Sequence, residues 1–331
     1  MKTTSKAVCL ILALSLLFLT ACGSNAVTSA EEVTSEETVS AVTEGSDGAY
    51  TFTDDLGREV TVAGSPQRVA AMIGSYADIW ALAGGKDTIV AAANDTWTAF
   101  ELDLDEDVVN IGSHVEPSLE ELLGTEPDFI LASSNTEADM ELLDTFEEAG
   151  LTAAYFEVET FDDYLRVLEI CCNLTGHPEN YETYGTAQQA QVDAAIAKAD
   201  GSQPTALYIR ASGSSVKVKN NEDSVLGEML ADLDCVNIAD SDNALLENLS
   251  LEAIQADDPD YIFVVYQGVE SQDKAEALVE ETLLSNPAWN TLRAVEEGNY
   301  YVLDSHLYNS KPNDEYGVAY EQLADILYGG K

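Results

Sequence analysis

The side chains best suited to bind a small molecule follow short apolar runs, where a strand would give way to a loop. In a sheet of parallel strands, ligands bind beyond the carboxyl ends of the strands, so these positions are the first candidates. Their groups suit a flat or bulky ligand held by stacking and a few hydrogen bonds. The candidates are Tyr76, Trp97, Ser133, Arg210, Tyr266 and Gln267. For each of the three aromatic residues, packing in the core is the alternative.

The chain has 3 histidines, and two of them lie where they could face a ligand. His114 precedes an apolar helical pattern, and His306 follows the strand-like run from Tyr300 to Leu303. If both line one crevice, they or Tyr76 have the chemistry to bind haem iron axially. A surface position is the alternative for each histidine. Two histidines are too few for a dedicated zinc or manganese site, so we predict no metal site.

The charge balance excludes several classes of partner. The chain has 61 acidic residues against 14 basic ones, and its net charge of −47 repels nucleic acids and other polyanions. Four basic residues stand out in the second half of the chain: Arg210, Lys217, Lys219 and Lys311. Arg210 ends an apolar run and is the best candidate to contact an anionic group of a ligand.

Motifs that indicate catalysis are absent from the sequence. The chain has no Gly-x-Ser-x-Gly elbow, no His-Glu-x-x-His pair and no Walker loop. A binding protein is therefore the expected class, not an enzyme, and an extracellular hydrolase or a sensor domain is the alternative. Cys171, Cys172 and Cys235 are predicted to be buried free thiols, because a bridge between adjacent cysteines strains the peptide.

The N-terminus predicts export and a lipid anchor. Lys2 and Lys6 precede an apolar stretch that is too short to span a bilayer and ends at Leu-Thr-Ala-Cys. This pattern resembles a bacterial lipoprotein signal over residues 1–21, with Cys22 as the lipidated first mature residue. An ordinary secretory peptide with a chance cysteine is the alternative. Residues 22–49 are predicted to be a disordered acidic tether, so the protein would meet the membrane only through its lipid.

Local sequence patterns predict the helices and strands that would position these residues. Alternation from Tyr50 to Val62 predicts a hairpin with its turn at 55–57. Farther along, one string occurs twice, beginning at Leu119 and at Leu251: Leu-Glu, a short amphipathic helix, Pro-Asp and a buried strand. Each helix should end before its proline.

The repeat predicts an α/β fold of two related βα lobes with parallel sheets. The N-terminal lobe is predicted over 50–176 and the C-terminal lobe over 203–331. Helix-forming residues between them predict one long connecting helix over 177–202. A helix that joins two such lobes leaves a ligand crevice between them, and the loops after the strands should face it.

Together these features resemble the Fe/B12 periplasmic-binding family, the substrate-binding proteins of ABC importers for iron chelates, haem and corrinoids. The resemblance rests on Asp55-Leu-Gly-Arg-Glu-Val, Pro66-Gln-Arg-Val, the two repeated strings and the connecting helix. It implies a protein that captures an iron siderophore, haem or a corrinoid, without a covalent cofactor, and delivers it to an ABC permease dimer. We expect a monomer on the outer face of a cell membrane, either at the cell surface or in the periplasm.

The resemblance also implies that one acidic side chain in each lobe docks onto the permease. By their position in the repeated string, these residues are Glu120 and Glu252. The alternative is that each glutamate only stabilises the N-terminus of its helix, where the helix dipole favours a carboxylate.

The small number of basic groups weighs against a strongly anionic triscatecholate and leaves a hydroxamate chelate, haem or a corrinoid as the expected ligand.

Overall fold

The computed structural model describes residues 43–44, 48–222, 224–241, 243–247, 249–267 and 272–329. The predicted signal peptide, the predicted lipidation site Cys22 and most of the predicted tether lie outside the described residues. Residues Ser40–Lys331 belong to one compact unit that holds two large sheets, one after the other along the chain. None of the described helices is long and apolar enough to cross a bilayer.

A small antiparallel sheet precedes the first βα unit. Its strands are β1 (Thr43–Glu44), β2 (Ala49–Thr53) and β3 (Glu59–Ala63), in that spatial order. Strands β2 and β3 form the predicted hairpin, and its buried side chains Phe52, Val60 and Val62 belong to the hydrophobic core.

The remaining strands of the N-terminal lobe are β4 (Val69–Ala71), β5 (Ile89–Ala92), β6 (Val109–Asn110), β7 (Gly112–Ser113), β8 (Glu116–Pro117), β9 (Phe129–Ser133) and β10 (Ala153–Phe156). Five of them form a parallel central sheet in the spatial order β10-β9-β4-β5-β6, and β7 and β8 form a separate short hairpin. Every residue of β4, β9 and β10 is buried. Such continuous burial is typical of parallel strands that helices cover on both faces.

The turn of the N-terminal hairpin covers the edge of this sheet at β10. Asp54 closes the turn by accepting hydrogen bonds from the amides of Leu56 and Arg58. The amide of Asp55 then donates to the carbonyl of Tyr155 at 2.9 Å, and the amide of Tyr155 donates to the Asp54 carboxylate at 3.2 Å. The Asp-Leu-Gly-Arg signature therefore has a structural role, because it satisfies the backbone groups of an edge strand.

The helices of the N-terminal lobe are α1 (Gly74–Trp80), α2 (Asp95–Thr98), α3 (Leu119–Gly124), α4 (Glu137–Glu141), α5 (Leu143–Ala149) and α6 (Phe161–Thr175). Helix α6 shows why these segments begin and end where they do. Thr160 and Asp163 form a reciprocal capping box at its start. Gly176 ends it with a φ of 79°, a left-handed conformation that glycine adopts without steric cost.

The connecting segment is helical but shorter than the predicted range 177–202. It consists of a π-helix (Glu182–Thr186) followed by α7 (Ala187–Ile196). Residues 178–179, ahead of it, form a turn, and the amide of Asn180 donates to the carbonyl of His177.

The central sheet of the C-terminal lobe is largely parallel, as predicted, and contains one antiparallel strand. Strand β11 (Thr205–Ser212) pairs with β12 (Ser215–Lys219) antiparallel. It pairs in parallel with β13 (Val236–Asn237) and β14 (Tyr261–Tyr266), and β14 pairs in parallel with β15 (Tyr300–Leu303). Only two residues separate the paired ends of β11 and β12, and so short a connection allows only an antiparallel neighbour.

The helices of the C-terminal lobe are α8 (Val225–Asp232), α9 (Asn243–Glu247), α10 (Leu251–Asp257), α11 (Gln272–Val279), α12 (Arg293–Glu296), α13 (Ser305–Tyr308) and α14 (Tyr316–Tyr328). Helix α14 packs along α7 at a glycine. The amide of Gly317 donates to Oε1 of Gln188 at 2.8 Å, and a Cβ at this position would lie 2.6 Å from Cβ of Gln191. Glycine therefore permits the close approach of the two helices.

Both copies of the repeated string fold in the same way, as predicted. Helix α3 leads into β9 and helix α10 leads into β14, and each helix ends before its proline. Ser118 and Ser250 are the N-caps, and each side chain accepts a hydrogen bond from a backbone amide in the first turn.

The aspartate of each Pro-Asp pair bonds to the start of a neighbouring strand. Asp128 accepts hydrogen bonds from the amides of Gln67 and Arg68 at 2.9 and 3.0 Å, just before β4. Asp260 accepts one from the amide of Thr205 at 2.9 Å, at the first residue of β11. The repeat therefore encodes the same strand-to-strand contact in both lobes.

Side chains from both sides of the connecting helix share one hydrophobic cluster. It contains Tyr164 of α6, Leu226 and Met229 of α8, and Tyr316 and Leu323 of α14. The predicted lobe limits at residues 176 and 203 stay predictions, because this cluster is continuous across them.

Candidate ligand-binding cleft

Loops from both lobes line a cleft of about 480 Å³. The N-terminal side is the end of α2 and the segment after it, and the C-terminal side comes from α13 and the loop that follows. Helices α2 and α13 come directly after β5 and β15, so the cleft lies where ligands bind in sheets of this kind. The lining residues are Thr98, Ala99, Phe100, Glu101, Ser305, His306, Ser310 and Glu315.

His306 contacts both sides of the cleft. Its ring lies edge-on to the ring of Phe100, with the centroids 5.5 Å apart. Its Nε2 lies 3.0 Å from Oε2 of Glu315, and its backbone amide donates to Asp304 at 2.7 Å at the start of α13. The structure thus places His306 at the crevice, while its iron-binding role stays a prediction.

The loop after α13 reaches into the N-terminal lobe at Asn313. This residue is fully buried and has a φ of 49°, in the left-handed region. Its Nδ2 donates to the carbonyl of Ser75 at 3.1 Å and to the carboxylate of Asp78 at 2.7 Å. Burial raises the pKa of Asp78 to about 6, although the hydrogen bond from Asn313 opposes the rise. The contact fixes the C-terminal loop against α1 of the other lobe.

Lys311 lies in the same loop, with its ammonium group deep among protein atoms. Its Nζ is 5.9 Å from the centroid of the Tyr76 ring. The residue as a whole retains some contact with solvent, yet burial lowers the pKa of the ammonium. The negative charges of carboxylates in the N-terminal lobe, first Glu159 and then Asp95, raise the pKa of the ammonium and so oppose the effect of burial.

Nine buried side-chain polar atoms in the part of the chain that the structure describes have no hydrogen-bond partner. Seven of them follow β4, β5, β9 and β15: Ser75 Oγ, Asp95 Oδ1, Thr96 Oγ1, Ser134 Oγ, Asp139 Oδ1, Asn309 Oδ1 and Asn313 Oδ1; the other two are Tyr208 Oη and Ser224 Oγ. A buried polar group left unpaired costs about 1–3 kcal/mol, so each such group requires an explanation. The position of the seven at the carboxyl ends of strands from both lobes is consistent with a site for a polar ligand.

Tyr76 and Ser133 are buried and are not among the residues that line the cleft. Tyr76 is 1% exposed, and its hydroxyl donates to the carbonyl of Phe156 at 2.7 Å. The hydroxyl of Ser133 donates to Oδ1 of Asn135 at 2.6 Å, and its amide donates to Asp139. Tyr76 therefore packs in the core, which was the alternative to a ligand-binding role, because its position in the first turn of α1 directs the ring inward.

Trp97 and His114 belong to the N-terminal lobe and are not among the residues that line the cleft. Trp97 is half-buried against the core and directly precedes the lining residue Thr98. The side chain of His114 is exposed, with Nδ1 4.0 Å from Oδ2 of Asp95. The structure does not bring His114 and His306 together in the lining of the cleft.

Arg210, Tyr266 and Gln267 lie at the carboxyl end of the second sheet. Arg210 pairs directly with Lys217 on β12, which places both side chains on the same face of the sheet. Tyr266 is on the opposite face, where it packs in a separate cluster of the C-terminal lobe. The amide of Gln267 donates to the carbonyl of Ala211 at 2.7 Å and extends the pairing of β14 with β11. These three residues do not line the cleft.

Sequence reasoning missed several lining residues, among them Phe100, Ser305 and Glu315. Phe100 lies three residues beyond the last candidate chosen after β5. The rule that ligands contact loops after strands applies to it equally, so a longer window after each strand would have found it.

Glu120 and Glu252 occupy equivalent positions in the repeat. Each is the second residue of its helix, α3 or α10, and each is exposed. The first turn of a helix favours a carboxylate, which by itself explains a glutamate there. Their role in docking stays a prediction.

The remaining titratable groups do not form a metal centre in the described ranges. These ranges contain no group of three or more histidine, cysteine, aspartate or glutamate side chains that could hold a metal ion. Cys171, Cys172 and Cys235 are buried and unpaired, as predicted. Burial raises the pKa of the Cys172 thiol to about 11 and that of Cys235 to about 12, so both are protonated at neutral pH.

Comparison with known proteins decides the family. A family model described as periplasmic binding protein matches residues 69–307, from the first parallel strand to α13. The chain belongs to the periplasmic binding protein family. The matched range contains both central sheets, the connecting helix α7 and the cleft residue His306, and it confirms the resemblance seen in the sequence.

Relatives of this periplasmic binding protein are binding proteins from bacteria. The Fe(3+)-citrate-binding protein YfmC of Bacillus subtilis (strain 168) is 26% identical over 261 residues, which cover 76% of this chain and 77% of that one. The iron-uptake system-binding protein of the same organism is 26% identical over 194 residues, 58% of this chain and 59% of that one. The periplasmic heme-binding protein RhuT from Roseiflexus sp. RS-1 has 21% identity and a TM-score of 0.64, covering 80% of this chain and 99% of that one. The structural similarity to RhuT shows that the two proteins share a fold.

Proposed function

We propose that this periplasmic binding protein captures an iron chelate, haem or a corrinoid in the cleft between its lobes and delivers it to an ABC importer. The position of the cleft carries the proposal, since loops at the carboxyl ends of both sheets contribute to one space of about 480 Å³. That volume is within the usual range for small-molecule sites. The names of the relatives, a ferric citrate-binding protein, an iron-uptake protein and a heme-binding protein, favour a ligand that carries iron or a metal macrocycle.

The chemistry of the lining favours binding over hydrolysis. Phe100 and His306 offer ring surfaces for stacking, and the serines of α13 and its following loop offer hydroxyls that donate or accept hydrogen bonds. A hydrolase would need a nucleophile activated by a neighbouring base. Among the described residues, no serine or threonine hydroxyl is hydrogen-bonded to the ring of His306, whose polar partner is the carboxylate of Glu315.

Titration of the mature protein with ferric citrate, haemin, cyanocobalamin and a ferric trihydroxamate tests this function. Trp97 adjoins the cleft, so a bound ligand should quench its fluorescence. Saturable binding by one ligand at or below about micromolar concentration, roughly −8 kcal/mol, is the expected result. Calorimetry on a Trp97→Phe variant should show that binding persists while most of the quenching is lost. Failure of all four ligands to bind would refute the proposal.

The same proposal assigns Glu120 and Glu252 to the permease contact and Cys22 to a lipid anchor on the outer face of the cell membrane. The two exposed carboxylates in equivalent helices and the lipoprotein-like signal support these assignments. The protein is expected to act as a monomer. Replacing Cys22 with Ala should release it from the membrane fraction, and continued retention would indicate another anchor.

A further inference from the structure

Helix α1 contacts the segments that form both walls of the cleft, the N-terminal wall at residues 98–101 and the C-terminal wall within residues 305–315. A Cβ on Gly74, the first residue of α1, would lie 2.9 Å from Cδ2 of Phe100, so the helix packs directly against the N-terminal wall. One turn later, the carboxylate of Asp78 accepts a hydrogen bond from Nδ2 of Asn313 at 2.7 Å. One short helix therefore touches two walls that belong to different lobes.

Asn313 joins the C-terminal wall to α1 without lining the cleft itself. It is fully buried, three residues after Ser310 and two before Glu315, which both line the cleft. Its Nδ2 also donates to the carbonyl of Ser75, so one amide group makes two hydrogen bonds to α1. Burial raises the pKa of Asp78 only to about 6, so this carboxyl is mostly ionised above pH 7 and can accept a charge-assisted hydrogen bond.

A second residue of the same lobe shows what is particular to Asn313. Both Asn313 and Gln203 have a left-handed backbone, with φ values of 49° and 50°. Both donate a side-chain amide to an aspartate, because Nε2 of Gln203 lies 2.8 Å from Oδ1 of Asp234. Gln203 is exposed and its partner lies in its own lobe, whereas Asn313 is buried and its partners lie in the other lobe. The contact at Asn313 is therefore the one of the two that can fix the lobes relative to each other.

We propose that Asn313 is a positioning residue for ligand binding, because its hydrogen bonds to α1 hold the two walls of the cleft at the separation that a ligand requires. This role rests on the function proposed above and states how the same cleft is kept ready to bind. Without the contact, the loop between α13 and α14 takes several positions, and only a fraction of the molecules has both walls in place. The apparent affinity falls in proportion to that fraction.

Asn313→Asp tests this role with a side chain of the same shape. It replaces the donor with a carboxylate that faces the Asp78 carboxylate and the Ser75 carbonyl. Calorimetry should show about 10-fold weaker binding of whichever of ferric citrate, haemin, cyanocobalamin and the ferric trihydroxamate the wild type binds, as expected when a tenth of the molecules is competent. Adding Asp78→Asn supplies a donor to the new carboxylate and should restore most of the affinity. Gln203→Glu makes the same change of charge beside Asp234 and should bind like the wild type.

Hydrogen exchange of the ligand-free proteins tests the contact itself. In Asn313→Asp, backbone amides within residues 305–315 should exchange faster than in the wild type, while those of the central strand β9 should not change. Excess ligand should slow the exchange of residues 305–315 again. Asn313→Gly is a second variant in case the buried carboxylate prevents folding, since glycine keeps the left-handed backbone without the side chain, and it should give the same pattern.

The possible results separate the contact from the function. Unchanged affinity in both variants of Asn313 would overturn the positioning role and leave the binding function intact. Faster exchange throughout both lobes, or a loss of affinity that Asp78→Asn does not reverse, would assign Asn313 a general structural role and also overturn the proposal. A wild-type protein that binds none of the four ligands would refute the proposed function, and a positioning role in ligand binding with it.

Discussion

Asp139 is a carboxyl group that the fold keeps away from water. It is fully buried, its Oδ2 accepts a hydrogen bond from the amide of Ser133 at 2.8 Å, and its Oδ1 has no partner in the described structure. Burial raises the pKa of Asp139 to about 7, whereas an unfolded chain has an aspartate pKa of about 3.9. The stability gained by keeping the proton is therefore fully present below about pH 4 and is lost as the pH rises through about 7.

The substitution Asp139→Asn should remove this pH dependence. Between pH 5 and pH 8 the wild type should lose about 2–3 kcal/mol more unfolding free energy than the variant does. Chemical denaturation at the two pH values measures this difference, and Asp105→Asn at an exposed position is the control. Parallel pH profiles for wild type and Asp139→Asn would show that the carboxyl is ionised in the folded protein.

At the scale of single residues, the sequence predicts position along the chain better than side-chain direction. His306 and Tyr76 were both chosen because they follow apolar strands, but only His306 lines the cleft. Helix α1 begins at Gly74, so the phase of its first turn carries Tyr76 inward to Phe156. A few residues of local pattern do not define that phase, which depends on how the helix packs.

The close contact between α7 and α14 allows a direct test of how these two helices pack. A Cβ on residue 317 would meet Cβ of Gln191 at 2.6 Å, closer than real Cβ atoms approach. Gly317→Ala should therefore lower the unfolding free energy by about 1–3 kcal/mol, despite the better helix propensity of alanine. Thermal unfolding measures the loss. Gly124→Ala, where a Cβ has open space at the end of α3, should be neutral or slightly stabilising. Equal effects of the two substitutions would mean that α7 and α14 are not closely packed.

Elements that carry a signal in their own sequence were predictable, and elements that depend on contacts with other parts of the chain were not. The repeated helices end before Pro127 and Pro259 because proline cannot continue a helix, and this is visible in the sequence. Strand β12 is an exception, because the Gly-Ser pair between Ser212 and Ser215 is a local signal for a two-residue hairpin, and it indicates the antiparallel neighbour that the prediction of parallel sheets left out. The ends of the connecting helix were placed too far apart.

At the scale of the whole molecule, the two lobes share a core that resists separation. Tyr164 of the N-terminal lobe packs in the same buried cluster as Met229 and Tyr316 of the C-terminal lobe. Opening the lobes widely would expose this cluster to water, which costs about 25 cal/mol for each square ångström of apolar surface. Ligand binding is therefore expected to proceed with a small hinge motion, so exposed groups on the two lobes keep a nearly fixed separation.

A fixed separation allows two carboxylates to define both the orientation and the affinity of docking on a permease. Reversing the charge at both proposed contacts, Glu120→Lys and Glu252→Lys, should abolish ligand uptake by cells and leave ligand affinity in solution unchanged. The double variant Glu148→Lys and Glu281→Lys changes the net charge equally at exposed positions, one in each lobe, and should transport normally. Loss of ligand affinity in the first pair would place these glutamates in the ligand site or its support. Equal loss of uptake in both pairs would mean that overall charge guides the encounter and that these two side chains are not specific contacts.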